Sequence, residues 1–137
     1  MKYHTLRLLP GQDLKREIVG FINQQKIEAG FICTCVGSLT HAELRYPYQH
    51  GQESTARDGE FEILALSGTL TVGLPDGCHI HATLSDEKGM AFGGHLQDGC
   101  LVCSTAEIVL CELQDVAYER SFDERTGFPE LFIKQKG

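Results

Sequence analysis

Gly77-Cys78-His79-Ile80-His81-Ala82-Thr83-Leu84, followed after a short break by Gly93-Gly94-His95-Leu96, holds three of the six histidines in the chain. In a β-strand, side chains at i and i+2 point to the same face. His79, His81 and Thr83 therefore project together, while Ile80, Ala82 and Leu84 turn the other way, into a core. The strand buries its apolar side and displays imidazoles on the opposite one. Asp86-Glu87-Lys88-Gly89 has the composition of a turn. Met90 to Leu96 can then return beside the histidine strand in antiparallel order, carrying His95 back towards His79 and His81.

Outward from this pair, the chain reads as strand almost throughout. Leu101 to Leu113 is the longest apolar run, hydrophobic on both faces, and such a strand requires cover on both sides by a helix or another subunit. Phe61 to Val72 is a strand with a bend expected at Gly68, and Leu74-Pro75-Asp76-Gly77 is a turn. Phe31 to Val36, closed by Gly37-Ser38, and Thr40 to Tyr46, stopped by Pro47, read as two further strands. Tyr48 to Glu60 is polar and turn-rich, an extended hairpin or loop. Near the N-terminus, Tyr3 to Leu9 alternates weakly as a first strand. Leu14, Ile18, Phe21 and Ile22 then recur at helical spacing, with Gln12 or Asp13 as the cap and Gly30 marking the exit. The tail from Asp115 is charged and less regular, with Phe122, Phe128, Leu131 and Phe132 as packing points. Short turns between successive strands predict an α+β fold: a curved, mostly antiparallel, barrel-like sheet flanked by one or two helices.

Composition narrows the function. A chain of 137 residues is one domain, 1–137, by the length prior, large enough to bury a core without staples. Nineteen acids against twelve bases give a net charge of −7, which works against a broad phosphate-binding surface. No apolar run approaches the ~18 residues of a membrane span. Met1 to Arg7 lacks the apolar core of a signal peptide, so a cytoplasmic location is expected. In that setting the six cysteines read as reduced, buried thiols. Cys33 and Cys35 alternate within a strand and should share a face. Cys100 and Cys103, three apart on a strand, would point to opposite faces and could not hold one ion together.

Two features carry chemistry. His79, His81 and His95 can supply three imidazoles with an open position, the arrangement of a catalytic rather than a structural zinc site. The alternatives are histidines on an exposed sheet face or at a subunit contact. Glu107 falls in register with Leu101, Cys103, Thr105, Val109 and Cys111 on the long apolar strand. A carboxylate there would be a general acid/base or an outer-shell partner of a metal, or one half of a salt bridge to an arginine. Phosphate-binding glycine loops and a Gly-x-Ser-x-Gly elbow are missing from the sequence.

The order of motifs resembles the PPC domain, the domain shared by plants and prokaryotes. The resemblance rests on Gly37-Ser38-Leu39, on Gly59-Glu60-Phe61-Glu62-Ile63-Leu64-Ala65-Leu66-Ser67-Gly68, on His79-Ile80-His81-Ala82, on Gly89 with Gly93-Gly94-His95-Leu96, and on Val102-x-x-Thr105-Ala106-Glu107. It implies a seven-stranded antiparallel sheet flanked by helices, a homotrimer, and a DNA-binding label drawn from plant nuclear proteins. In those plant proteins a separate AT-hook grips the minor groove, and this sequence has no such segment. The fold is also similar to that of acetolactate decarboxylase, which holds zinc through three histidines including a His-x-His pair, a pattern that His79, His81 and His95 match. Two functions follow as expectations: a trimeric, DNA-associated regulatory protein carrying a three-histidine metal site, or a small zinc-dependent enzyme acting on a carbonyl or carboxylate metabolite, with Glu107 moving protons.

Overall fold

Alternating apolar and polar residues on either side of the histidine strand resolve into antiparallel pairing throughout. The computed structural model describes residues 1–47, 54–73 and 77–137. In chain order these form β1 (Lys2–Leu8), α1 (Leu14–Gln25), β2 (Gly30–Arg45), β3 (Thr55–Leu70), β4 (His79–Ser85), β5 (Ala91–Leu96), β6 (Leu101–Glu112), β7 (Val116–Asp123) and β8 (Phe128–Gln135). The main sheet runs β1-β6-β2-β3-β4-β5, and β5 returns to pair with β2. On one edge of β2, β6 pairs as far as His41, and β5 takes over at Leu44 and Arg45. The strands β2, β3, β4 and β5 thereby close into a ring, which is the curvature expected from the sequence. Closure removes the free edge at the strands that carry the histidines.

The α+β antiparallel expectation holds, with differences in detail, the first being that the main sheet has six strands and not the seven expected, the other two pairing separately. The runs Phe31–Val36 and Thr40–Tyr46 are one strand, because β2 absorbs Gly37-Ser38 through register shifts instead of breaking there. A Cβ on Gly37 would fall 2.1 Å from the Thr105 carbonyl oxygen, so glycine is what lets β2 lie against β6. Of the polar stretch read as a loop, 48–53 lies outside the described residues. Thr55 to Glu60 is already β3, held by pairs such as Thr55 with Leu44 and Asp58 with His41. Leu74-Pro75-Asp76 also lies outside the described residues. The tail is not irregular: β7 and β8 form a separate two-stranded hairpin. Cys33 and Cys35 do not share a face. Ile32 pairs with Leu110 and Thr34 with the adjacent Val109, so Cys33 is an extra, exposed residue at a bulge and Cys35 is buried.

One helix is present among the described residues. Asp13 caps it, its carboxylate accepting from the Arg16 backbone N–H at 3.2 Å and from that of Gly99 at 2.7 Å. Lys26, at φ 55°, ends it in the left-handed region, ahead of Gly30. Leu14, Ile18 and Ile22 are wholly buried with Leu39, Leu44, Leu70, Ile80, Leu84, Leu96, Ile108 and Leu110. At about 1.5–3 kcal/mol for each side chain removed from water, this core anchors the sheet face opposite the histidines.

Candidate metal centre

Four strands and their register assemble the site. His81 of β4 pairs with His95 of β5, His95 with Arg45 of β2, and Ser67 of β3 with His81. Ser67, His81, His95 and Arg45 thus form one row across four strands, and Thr69 and His79 form the next row. Side chains at paired positions share a face, so both rows present their polar groups on the side away from Ile80, Ala82 and Leu84, all of which are buried. Glycines set the strand approach. A Cβ on Gly93 would lie 2.4 Å from the Ala82 carbonyl oxygen, and one on Gly68 would lie 2.5 Å from that of His79. Gly68 does not break β3, which continues past it to Leu70.

His79, His81 and His95 come together as the spacing predicted. Their ring centroids lie 4.9, 5.0 and 5.4 Å apart in the three pairings. One nitrogen from each ring falls within 4.8 Å of those of the other two. His79 Nε2 and His81 Nε2 are 3.1 Å apart. Two nitrogens bound at 2.0–2.1 Å to a tetrahedral ion stand about 3.3 Å apart, so this pair already has a ligating separation. Only neutral imidazoles offer lone pairs, and the surroundings favour that form. Burial pushes His79 below its ordinary value, with the neighbouring His81 and then Arg120 adding to it. Burial, followed by Arg45, pushes His95 down to about 4. The donor set fits a borderline divalent ion such as zinc with part of its coordination open.

Glu107 lies elsewhere. It is an exposed residue of β6, paired with Arg7 of β1 and Val36 of β2. Val36 and Arg45 are nine positions apart on β2, about 30 Å along an extended strand. Glu107 is therefore not brought together with the histidines, nor does it form an ion pair among the described residues. Three residues that sequence reasoning passed over are nearer. Arg45 reaches the site through the β2–β5 pairing. Arg120 of β7 donates from Nη2 to Thr69 Oγ1 at 3.2 Å, beside His79, and its buried Nε has no partner. Glu130 of β8 acts on His79 in the opposite sense, favouring its protonated form. No sequence-local pattern marks any of them, since each arrives by long-range pairing or docking.

Among the described residues the cysteines join no cluster of metal ligands. All six are free, and burial pushes the Cys35 thiol up to about 12 and that of Cys100 up to about 11.

Fold and site together define a class: a small antiparallel barrel with one capping helix and a cluster of three histidines on its outer face. Residues 1–114 match the Plants and Prokaryotes Conserved (PCC) domain, and the chain belongs to that family, the PPC domain of the sequence resemblance. Among curated proteins it is 46% identical over 134 residues to the bifunctional protein GlmU of a Synechococcus strain, covering 98% of this chain and 20% of that protein. The chain thus spans about a fifth of that relative's length. It is 33% identical over 99 residues to AT-hook motif nuclear-localized protein 14 of Arabidopsis thaliana, covering 68% of this chain and 24% of that protein.

Among solved structures, a Salmonella enterica protein superposes with a TM-score of 0.92 at 37% identity, covering 98% of this chain and 94% of that one. A metal-containing protein of Archaeoglobus fulgidus superposes with a TM-score of 0.78 at 33% identity, covering 96% and 94%. Acetolactate decarboxylase of Bacillus subtilis, at 17% identity and a TM-score of 0.52 over 81% of this chain and 52% of that one, shares the fold alone.

Proposed function

We propose that this PPC-domain protein binds one divalent metal ion, zinc by donor preference, through His79, His81 and His95, and assembles as a homotrimer. The observation that carries the metal reading is the convergence of three imidazoles with one Nε2–Nε2 pair at 3.1 Å. The A. fulgidus relative, described as metal-containing, supports it. A bound ion would act as a Lewis acid towards a carbonyl oxygen or a water in its open position. The protein's own part is to hold the imidazoles neutral, orient them from paired strands and keep positive charge beside them. This arrangement supports the enzymatic alternative, a small metalloenzyme acting on a carbonyl or carboxylate metabolite.

The test is metal analysis of protein purified without a histidine tag, alongside a His81→Ala variant. About one zinc per chain in the wild type and its loss in the variant is the expected result. Equal and negligible zinc in both would overturn the reading.

Self-association is supported by the exposed apolar side chains of the β7–β8 hairpin, among them Phe122, Phe128, Phe132 and Ile133. A trimer of a chain with net charge −7 repels duplex DNA unless its bases are focused locally. DNA binding rests on the family resemblance alone, since the Arabidopsis relative is named for an AT-hook motif, a segment this sequence lacks. A fluorescence anisotropy titration at low salt decides it, and absence of binding there removes direct DNA recognition. Six free thiols fit a reducing, cytoplasmic setting.

A further inference from the structure

We propose that Arg45 and Arg120 form a carboxylate-binding arm beside the three histidines, so that the ligand of this site is a small carboxylate monoanion. The inference rests on the same site as the metal reading and adds the chemistry of what binds there. Arg45 stands directly across from His95 in the β2–β5 register. Neighbouring strands are about 4.8 Å apart, so a ligand of only a few heavy atoms spans from an imidazole to that guanidinium. Arg120 approaches from the hairpin and fixes one N–H on Thr69, the residue paired with His79. The two guanidinium groups therefore flank the cluster from different sides.

Neither arginine is neutralised by a described residue. Arg16, Arg57 and Arg125 each lie within 4.0 Å of an aspartate oxygen. Among the described residues, Arg45 and Arg120 have no carboxylate within that distance. Arg120 also keeps a buried Nε–H without an acceptor. A buried donor left unsatisfied is unfavourable, and it marks where an acceptor oxygen belongs. A planar guanidinium fork matches the two oxygens of a carboxylate. The overall charge of −7 disfavours a dianion such as phosphate more than a monoanion.

The experiment follows the histidine ring protons by NMR during titration with glycolate, on zinc-loaded and on zinc-free full-length protein. Glycolamide, its neutral analogue, and inorganic phosphate are run in parallel. The expected result is saturable binding of glycolate, weaker binding of phosphate and none of glycolamide. Arg45→Gln and Arg120→Gln should each weaken glycolate at least tenfold with zinc content unchanged, and Arg45→Lys should fall between. Glycolate affinity equal to wild type in both glutamine variants overturns the proposal, as does phosphate binding more tightly than glycolate. Should Arg120→Gln fail to fold, Arg45→Gln decides alone. Failure of the metal reading shows separately, as negligible zinc content, while the arginine dependence is still read on the zinc-free protein.

Discussion

His79 Nε2 faces His81 Nε2 across 3.1 Å, two imidazoles of one strand turned towards each other and not splayed into solvent. Without an ion, one nitrogen must donate and the other accept. With an ion, both lone pairs would be free to ligate it, and His95 would supply the third ligand. Replacing any one of the three by alanine should weaken zinc by more than the ~10–100-fold typical of losing an outer-shell partner. Competition against a chromogenic chelator measures this. An alanine variant that holds zinc as tightly as wild type would remove that histidine from the ligand set.

The same cluster makes the metal-free protein acid-sensitive. His95 is pushed down to about 4 from an ordinary value of 6.5, by burial and then by Arg45, with His79, His81 and Lys15 adding to it. Between those two values the unfolded chain binds a proton that the folded chain refuses. Stability therefore falls as pH drops from about 6.5 towards 4 and flattens below. His79, also lowered, contributes in the same direction. His41, raised chiefly by Glu43 and then Asp58, works oppositely, adding stability below 6.5 that is lost as pH rises through its own folded value. Solvent around its exposed partner Asp58 keeps that contribution small. Thermal melts of zinc-free protein across this range should show the decline, and His95→Gln should reduce it. Identical slopes for the two proteins would refute this account.

Gly93→Ala tests whether strand approach sets the ligand geometry. Its Cβ would stand 2.4 Å from the Ala82 carbonyl oxygen, a backbone atom with little freedom to yield. Forcing β4 and β5 apart should lower stability by about 1–3 kcal/mol and weaken zinc as well, because His81 and His95 pair across the same two strands. Urea denaturation and a zinc titration read the two effects. Gly89→Ala tests a different constraint: its Cβ would meet nothing within 4 Å, but its φ of 76° strains any side chain. It should cost stability without touching zinc affinity.

The histidine site was legible because its information is local. A two-residue spacing puts His79 and His81 on one face, and a four-residue turn brings His95 back beside them. Arg45 and Arg120 carry no such signal. One reaches the site because β2 exchanges partners from β6 to β5, the other because a hairpin near the C-terminal end docks its Tyr118 N–H on the Glu28 carbonyl. Period-two reading also failed wherever a bulge intervened. It placed Cys33 with Cys35, and the extra residue between Ile32 and Thr34 separates them. The hairpin itself escaped notice because its apolar residues lie on both faces, with Phe132 and Ile133 adjacent and both exposed. Alternation is a signal only where one face is buried within the same chain.

Glu107 marks the limit of arguing from an apolar strand. Its neighbours on the same face, Cys103, Thr105 and Val109, are only half-buried, so the carboxylate meets solvent and not a pocket. Glu107→Gln should change stability by less than about 0.5 kcal/mol and leave zinc affinity unaltered. A marked loss of zinc on this substitution would show that Glu107 reaches a metal centre after all, and calorimetric zinc titration of the variant is sufficient to tell.

The β7–β8 hairpin bears on the assembly. A lone two-stranded ribbon is marginal in water, and this one leaves Phe122 67% and Phe128 61% exposed. Large aromatic surface of that kind on an element with little core of its own needs cover. In the proposed homotrimer a second copy of the chain would supply it. Phe122→Asp combined with Phe128→Asp should therefore shift the mass measured by size-exclusion chromatography with light scattering from trimer to monomer. The barrel core, built from other residues, should still fold, with an unchanged near-ultraviolet transition. Arg120 sits on the same hairpin, so dissociation should also loosen its hold beside His79 and weaken glycolate binding. A variant that stays trimeric, or a wild type that is monomeric at every concentration, would rule out the hairpin as the element that joins the subunits.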